Sequence, residues 1–310
     1  LHHFVPRPTI PVVSPKLAWF LAHKDEYDAV FIGSSRVCHG VIPAEFDQVM
    51  KEHGLSCRSF NLGVEQMFPP ATFQLLDTVL QAKPAHLKWV FLELAPIYTT
   101  DNEPTLRAIA WHDGPATALV IKDLAREHGW WGLLRHAADI FANLRLFLLN
   151  ATNVGRVPTL LRPEPDEAGA ATEFAGYMPL HGTNFGSEKM AKKYEAALAA
   201  MRAAQPLPEE PLPVSARAFA QQLQLIERSG AKPLLFILPL PRSTGDFLDA
   251  KTPHSIFAFN DLDRYATFYD LANRYDGGHL NDKGARLFTH TLAGLFADSL
   301  HPVTAVEPAH

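Results

Sequence analysis

Cysteine is nearly absent: 310 residues carry only two, Cys38 and Cys57. That excludes a disulfide scaffold, and no CxxC pair of the metal-binding kind exists. Two reduced thiols are the expectation, with one bridge left open if their strands are neighbours. Long apolar runs are missing too, and no stretch approaches the ~18 residues of a membrane span. Lys/Arg-rich runs are likewise absent and the net charge is -5, which argues against a nucleic-acid partner. The sequence also lacks HExxH, a GxGxxG after a strand, and GxxxxGK[ST]. Zinc, dinucleotide and P-loop chemistry therefore have no support, and neither a metal nor another cofactor is expected.

What is present describes an ordinary globular chain, with 47% apolar and 20% charged residues. Its length suits one large α/β domain or two small ones. Proline is plentiful, at 25 residues, and much of it falls in linker-like stretches. The chain starts at Leu1 without Met, which reads as a loss upstream: a signal peptide, an anchor or simply trimmed chain.

Residues 1–27 read as a lead-in: extended through 15 because of Pro6, Pro8, Pro11 and Pro15, then a short helix at 16–24. Residues 29–32 (AVFI) form a continuous apolar run, as expected of a strand covered on both faces of a parallel sheet. Pro43 opens a helix with Phe46, Val49 and Met50 inward. Further strands are predicted at 57–62 and 88–94, with a helix at about 71–82 between them.

The alternation then breaks, and 97–212 reads as a largely helical insertion. It contains helical pieces over 106–150, a mobile loop at 156–171, a helix at 187–203 and a proline linker at 205–213. The α/β pattern resumes over 213–301, with a helix at 214–229, a fourth strand at 232–239 and a fifth at 267–271 (TFYDL). A last helix is capped by Asn281, and 302–310 is a tail. The fold class is thus α/β: a doubly wound, mostly parallel five-stranded sheet formed by 28–96 and 213–301. Ligands bind such sheets beyond the carboxyl ends of the strands, where Ser35, Gly63, Pro96, Pro239 and Asp276 all fall.

Ser35, Asp276 and His279 are the residue types of a hydrolytic trio. A serine hydroxyl needs a base to accept its proton, and a histidine does so best when a carboxylate fixes its tautomer. Asp276 lies three residues before His279, within reach of the ring across one loop. Arg36 has two open readings, an anionic substrate or a nearby acid. Cys38 and His39 read as packing or supporting residues. Trp111, His112, Trp130 and Trp131 either stack on sugar rings or pack on the core. His181 reads as a loop residue that could also line the cleft.

These stretches resemble the SGNH (GDSL-type) hydrolase superfamily in Gly33-Ser34-Ser35, Asn61-Leu62-Gly63 and Asp276-Gly277-Gly278-His279-Leu280-Asn281. More narrowly, they look like the SGNH-like proteins of bacterial envelope polysaccharide O-acylation. The resemblance covers about 28–96 and 232–297. It implies a flavodoxin-like sheet, Ser35 as nucleophile, His279 as base and Asp276 as its orienter. It also implies an oxyanion hole from the N–H groups of Ser35 and Gly63. The family's usual Gly-x-Asn-Asp block is replaced here by residues 92–96 (LELAP), which leaves Asn61 as a substitute donor. The implied activity is an esterase or acyltransferase on an acylated or acceptor glycan in the periplasm or cell envelope, with a membrane-bound acyltransferase as a further partner. Two rivals stay open: a non-catalytic glycan-binding or scaffolding subunit, and a flavodoxin-like binder holding phosphate at residues 33–36.

Overall fold

Five strands lie parallel in the order β2-β1-β3-β4-β5 in the computed structural model: β1 (Ala29–Ile32), β2 (Ser59–Asn61), β3 (Trp89–Glu93), β4 (Lys232–Ile237) and β5 (Ile256–Ala258). The structure describes residues 10, 12–97, 104–152, 169, 172–203, 213–241 and 256–300. Helices flank the sheet, and the architecture is α/β of the flavodoxin-like kind.

All four residues of β1 are fully buried, as the unbroken apolar run demands of a strand covered on both sides. Alternation sorts its side chains into two layers. Val30 and Ile32 join Val90, Leu92 and Leu235 in one core, under α1 (Val13–Ala22), α4 (Ala71–Gln81) and the helix Pro213–Arg228. Phe31 packs in the other core with Phe91 and Phe236, under α3 (Pro43–Glu52) and the final helix, Asp282–Leu300. Phe31 and Phe91 are also register partners, with ring centroids 4.5 Å apart. Burying each such ring contributes about 1.5–3 kcal/mol.

Two sequence expectations change. The fifth strand is Ile256–Ala258, whereas Ala266–Tyr269 is a 3-10 turn. The aromatics there are buried without pairing: Phe268 packs near Phe288, and the Tyr269 hydroxyl donates to the carbonyls of Leu240 and Phe259. At the other end, the helix begins at Val13 rather than 16, with Pro15 in its first turn, where no intrahelical N–H is needed. Val13, Lys16 and Phe20 are buried, so α1 belongs to the sheet's cover.

The insertion contributes α5 (Leu106–Trp111), α6 (Gly114–Arg135), α7 (Ala137–Ala151) and α8 (Glu188–Ala203). The loop expected at 156–171 falls almost wholly outside the described residues, as does 205–212 of the proline linker; Pro213 itself opens α9 (Pro213–Arg228). The final helix, α10 (Asp282–Leu300), is capped as expected, since Asn281 Oδ1 accepts from the N–H of Gly284. No helix among the described residues is long and apolar enough to cross a membrane.

Candidate active site

The sheet reverses its winding between β1 and β3, and the crevice off the carboxyl ends of these two strands is the natural ligand site. After β1 the chain turns through Gly33 and Ser34 into a short helix, α2 (Ser35–Gly40). Any Cβ at Gly33 would collide with Glu93 and Val37, so this turn requires glycine. Ser34 caps α2 by accepting from the Arg36 N–H at 3.3 Å. Ser35 is thereby the first residue of the helix and half-buried at its mouth.

The loop before α10 brings the other two members. His279 Nε2 lies 2.8 Å from Ser35 Oγ, and its Nδ1 lies 2.9 and 3.0 Å from the carboxylate oxygens of Asp276. A carboxylate only accepts, so Nδ1 carries the proton and Nε2 is left to accept from the Ser35 hydroxyl. Asp276 Oδ1 also accepts from the N–H groups of Gly278 and His279 at 2.7 and 2.8 Å. Burial pushes the Asp276 carboxyl up, but the His279 ring and these two N–H groups outweigh it and bring it to about 2. Asp276 is thus firmly ionised.

Two supporting residues, Glu93 and Arg274, escape sequence reasoning, Glu93 because all its partners are distant in the chain. Glu93 closes β3 and is buried beneath the Ser34 turn. It accepts from the Ser34 N–H at 2.6 Å and the Ser34 hydroxyl at 3.2 Å. It also accepts from Arg36 Nε and Nη2, each at 2.7 Å. Arg274, also fully buried, donates to the carbonyls of Pro239, Asp276 and Gly277, tying the loop of Asp276 to the end of β4. Its sequence neighbours Asn273, Tyr275 and Asp276 are those of an ordinary surface loop, so nothing in the sequence signals its burial.

The geometry corrects two expectations and favours one of the two readings of Arg36. Arg36 pairs with Glu93 and stacks over Phe68 at 5.5 Å, so its guanidinium is not presented to an anionic substrate. Asn61 is fully buried, and its Nδ2 donates to the carbonyls of Val37 and Val41 at 2.7 Å each. It supports α2 from below and offers no donor to an oxyanion. The Gly63 N–H is also engaged, donating to Asn61 Oδ1 at 2.8 Å. The Ser35 N–H, at the start of α2, makes no hydrogen bond to the described residues.

Around the site, residues 175–184 of the insertion run beside both segments that supply the trio. The Asn61 N–H donates to Ala175 O, Met178 N–H to Cys38 O, Asn184 N–H to Tyr275 O, and Asp282 N–H to Leu180 O. His181 lies on this strip, mostly exposed, 3.2 Å from Asp282. Trp111 packs against the core, and His112 bonds to Ala108 O and Asn143 Oδ1. Trp131 is on the surface, and the side chain of Trp130 lies outside the described residues. Cys38 is a buried and Cys57 a half-buried free thiol. Among the described residues no cluster of three His, Cys, Asp or Glu could hold a metal. Compared with known families and with curated proteins, the chain matches no family model and no curated entry.

Proposed function

We propose that this protein is a serine-dependent ester hydrolase or O-acyltransferase that works through an acyl-enzyme on Ser35. The observation that carries the reading is the unbroken chain from Ser35 Oγ through His279 to Asp276, at 2.8 and 2.9 Å. As Ser35 Oγ attacks an ester carbonyl, its proton passes to His279 Nε2, and ionised Asp276 stabilises the imidazolium. The tetrahedral oxyanion forms next to the Ser35 N–H, a donor with no other partner among the described residues. Collapse expels the alcohol, which takes its proton from His279. Water or a sugar hydroxyl then attacks the acyl-enzyme, with His279 again as base; water makes the enzyme an esterase, a sugar a transferase.

The substrate class rests on the sequence resemblance: a short O-acyl group, acetyl first, on an envelope glycan. An extracytoplasmic location and a membrane-bound acyltransferase as partner belong to the same proposal. The engagement of Gly63 and Asn61 elsewhere favours one rival, a glycan-binding subunit with no turnover. Wild type and Ser35→Ala are compared for p-nitrophenyl acetate hydrolysis, for turnover of a panel of acylated sugars, and for fluorophosphonate labelling. Wild type is expected to turn over and label, and Ser35→Ala to do neither. Equal behaviour of the two proteins sinks the assignment. A wild type that binds acylated oligosaccharide but neither labels nor turns over supports the binding subunit instead.

A further inference from the structure

A second histidine stands against the trio. His39 lies one helical turn after Ser35 on α2, on the same face, and is 5% exposed. Its ring meets that of His279 nearly at right angles, 84° with centroids 5.8 Å apart. Both of its nitrogens face oxygen acceptors: Nδ1 the Met178 carbonyl at 2.7 Å, Nε2 the Glu65 carboxylate at 3.1 Å. A flipped imidazole would put C–H groups at both contacts, so the ring has one good orientation. Arg107 in turn donates to the Glu65 carbonyl.

We propose that His39, locked by Glu65 and Met178, is a positioning residue for His279; the inference rests on reading the Ser35 trio as catalytic. The hydrogen bonds of His279 to Asp276 and Ser35 direct its two nitrogens but bend easily, and so leave the ring able to swivel through a limited arc about its Cβ–Cγ bond. The edge-on His39 ring blocks that swivel and keeps Nε2 aimed at Ser35 Oγ. The lock has two independent anchors. Glu65 comes from the loop after β2, and Met178 from the return of the insertion, so docking of the insertion is felt at His279 through one side chain. The His39 hydrogen bond also holds the Glu65 carboxyl below the ordinary range, as expected of a formed pair.

Three variants test this: His39→Ala, Glu65→Ala and Glu65→Gln. The Glu65 side chain is 49% exposed, so its replacement leaves the fold intact even if His39→Ala fails to fold. Rates are taken per site labelled at Ser35. His39→Ala and Glu65→Ala are expected to lower kcat about 10- to 100-fold with little change in KM, the effect of a misaimed base rather than a lost binding contact. Glu65→Gln, which keeps an oxygen acceptor, is expected to restore most of the rate. The low-field proton resonance of His279 Nδ1–H reports the ring directly, and is expected to shift or broaden in Glu65→Ala. An unchanged kcat in Glu65→Ala together with an unmoved resonance overturns the proposal. If wild type itself neither labels nor turns over, the catalytic reading is what fails. In that case the resonance alone decides whether His39 orients His279.

Discussion

Glu93 sets the position of Ser35 from beneath the turn that carries it. Its carboxylate gathers the Ser34 N–H, the Ser34 hydroxyl and the Arg36 guanidinium into one buried node directly under the turn. Replacing it with Gln leaves Arg36, whose side chain is only 15% exposed, without its counter-charge. Breaking a buried pair on one side costs about 3–5 kcal/mol, so Glu93→Gln is expected to lower the melting temperature by several degrees. It should also slow fluorophosphonate labelling of Ser35 in the protein that remains folded. A melting curve superimposable on wild type would show that the node is not structural. At this scale the sequence was informative about chemistry and silent about support. Ser35, Asp276 and His279 are legible because each is a residue type with a distinct role; Ser35 also falls past the end of β1, whereas the strand expected before Asp276 is a 3-10 turn. Glu93 read only as the residue where an Asn was missing, since its partners lie almost sixty positions away. Asn61 and Gly63 carry the right types for an oxyanion hole, but backbone acceptors and each other claim them first.

Among the elements, α2 is the least self-sufficient: six residues, closed on all sides by contacts from elsewhere. Asn61 Nδ2 satisfies its Val37 carbonyl and that of Val41 just beyond it, and Met178 N–H takes Cys38 O. Lys16 Nζ, buried on α1, reaches Cys38 Sγ at 3.2 Å and the Gly63 carbonyl at 2.7 Å. Gly63 lies so close to α2 that a Cβ there would strike the Val37–Cys38 backbone. Backbone cannot step aside as a flexible side chain can, so Gly63→Ala must displace α2 and carry Ser35 off His279. Overpacking of this kind costs about 1–3 kcal/mol, and a larger fractional loss in labelling rate than in stability is expected, measured by parallel melting and probe-labelling assays. A variant that melts lower yet labels at the wild-type rate would place the strain elsewhere. Strands β1, β3 and β4 were legible as apolar runs because they are buried on both faces. Strand β5 was not: three residues with partly exposed side chains carry no period, while the buried aromatics at 266–269 imitate a strand.

Across the whole molecule the two ends of the sheet respond to pH in opposite senses. At the carboxyl end Asp276 is depressed to about 2, so its contribution to stability is complete above the ordinary carboxylate value near 4 and fades as the pH falls through about 2. At the amino end Asp47, on α3, is pushed up to about 6 by burial, against the hydrogen bond from the Ser59 N–H. Asp28 raises it further, Arg58 lowers it, and Cys57 is its thiol neighbour. Its Oδ1 is buried without a partner among the described residues. Here the folded state holds the proton more tightly than the unfolded chain. Stability therefore falls as the pH rises from about 4 to about 6, and the full penalty of a buried charge remains above that. Asp47→Asn keeps an oxygen for the Ser59 N–H and removes the charge. The variant is expected to melt at the parent's temperature near pH 4 and above it at pH 8, by the equivalent of about 1–3 kcal/mol. Labelling at Ser35 should not change, because Asp47 sits at the opposite end of the strands from the trio. Unfolding curves of both proteins at pH 4, 6 and 8 decide it: a difference that is constant across the three rules out Asp47 as the source, and a difference that opens between pH 4 and 6 and then levels off to pH 8 assigns it.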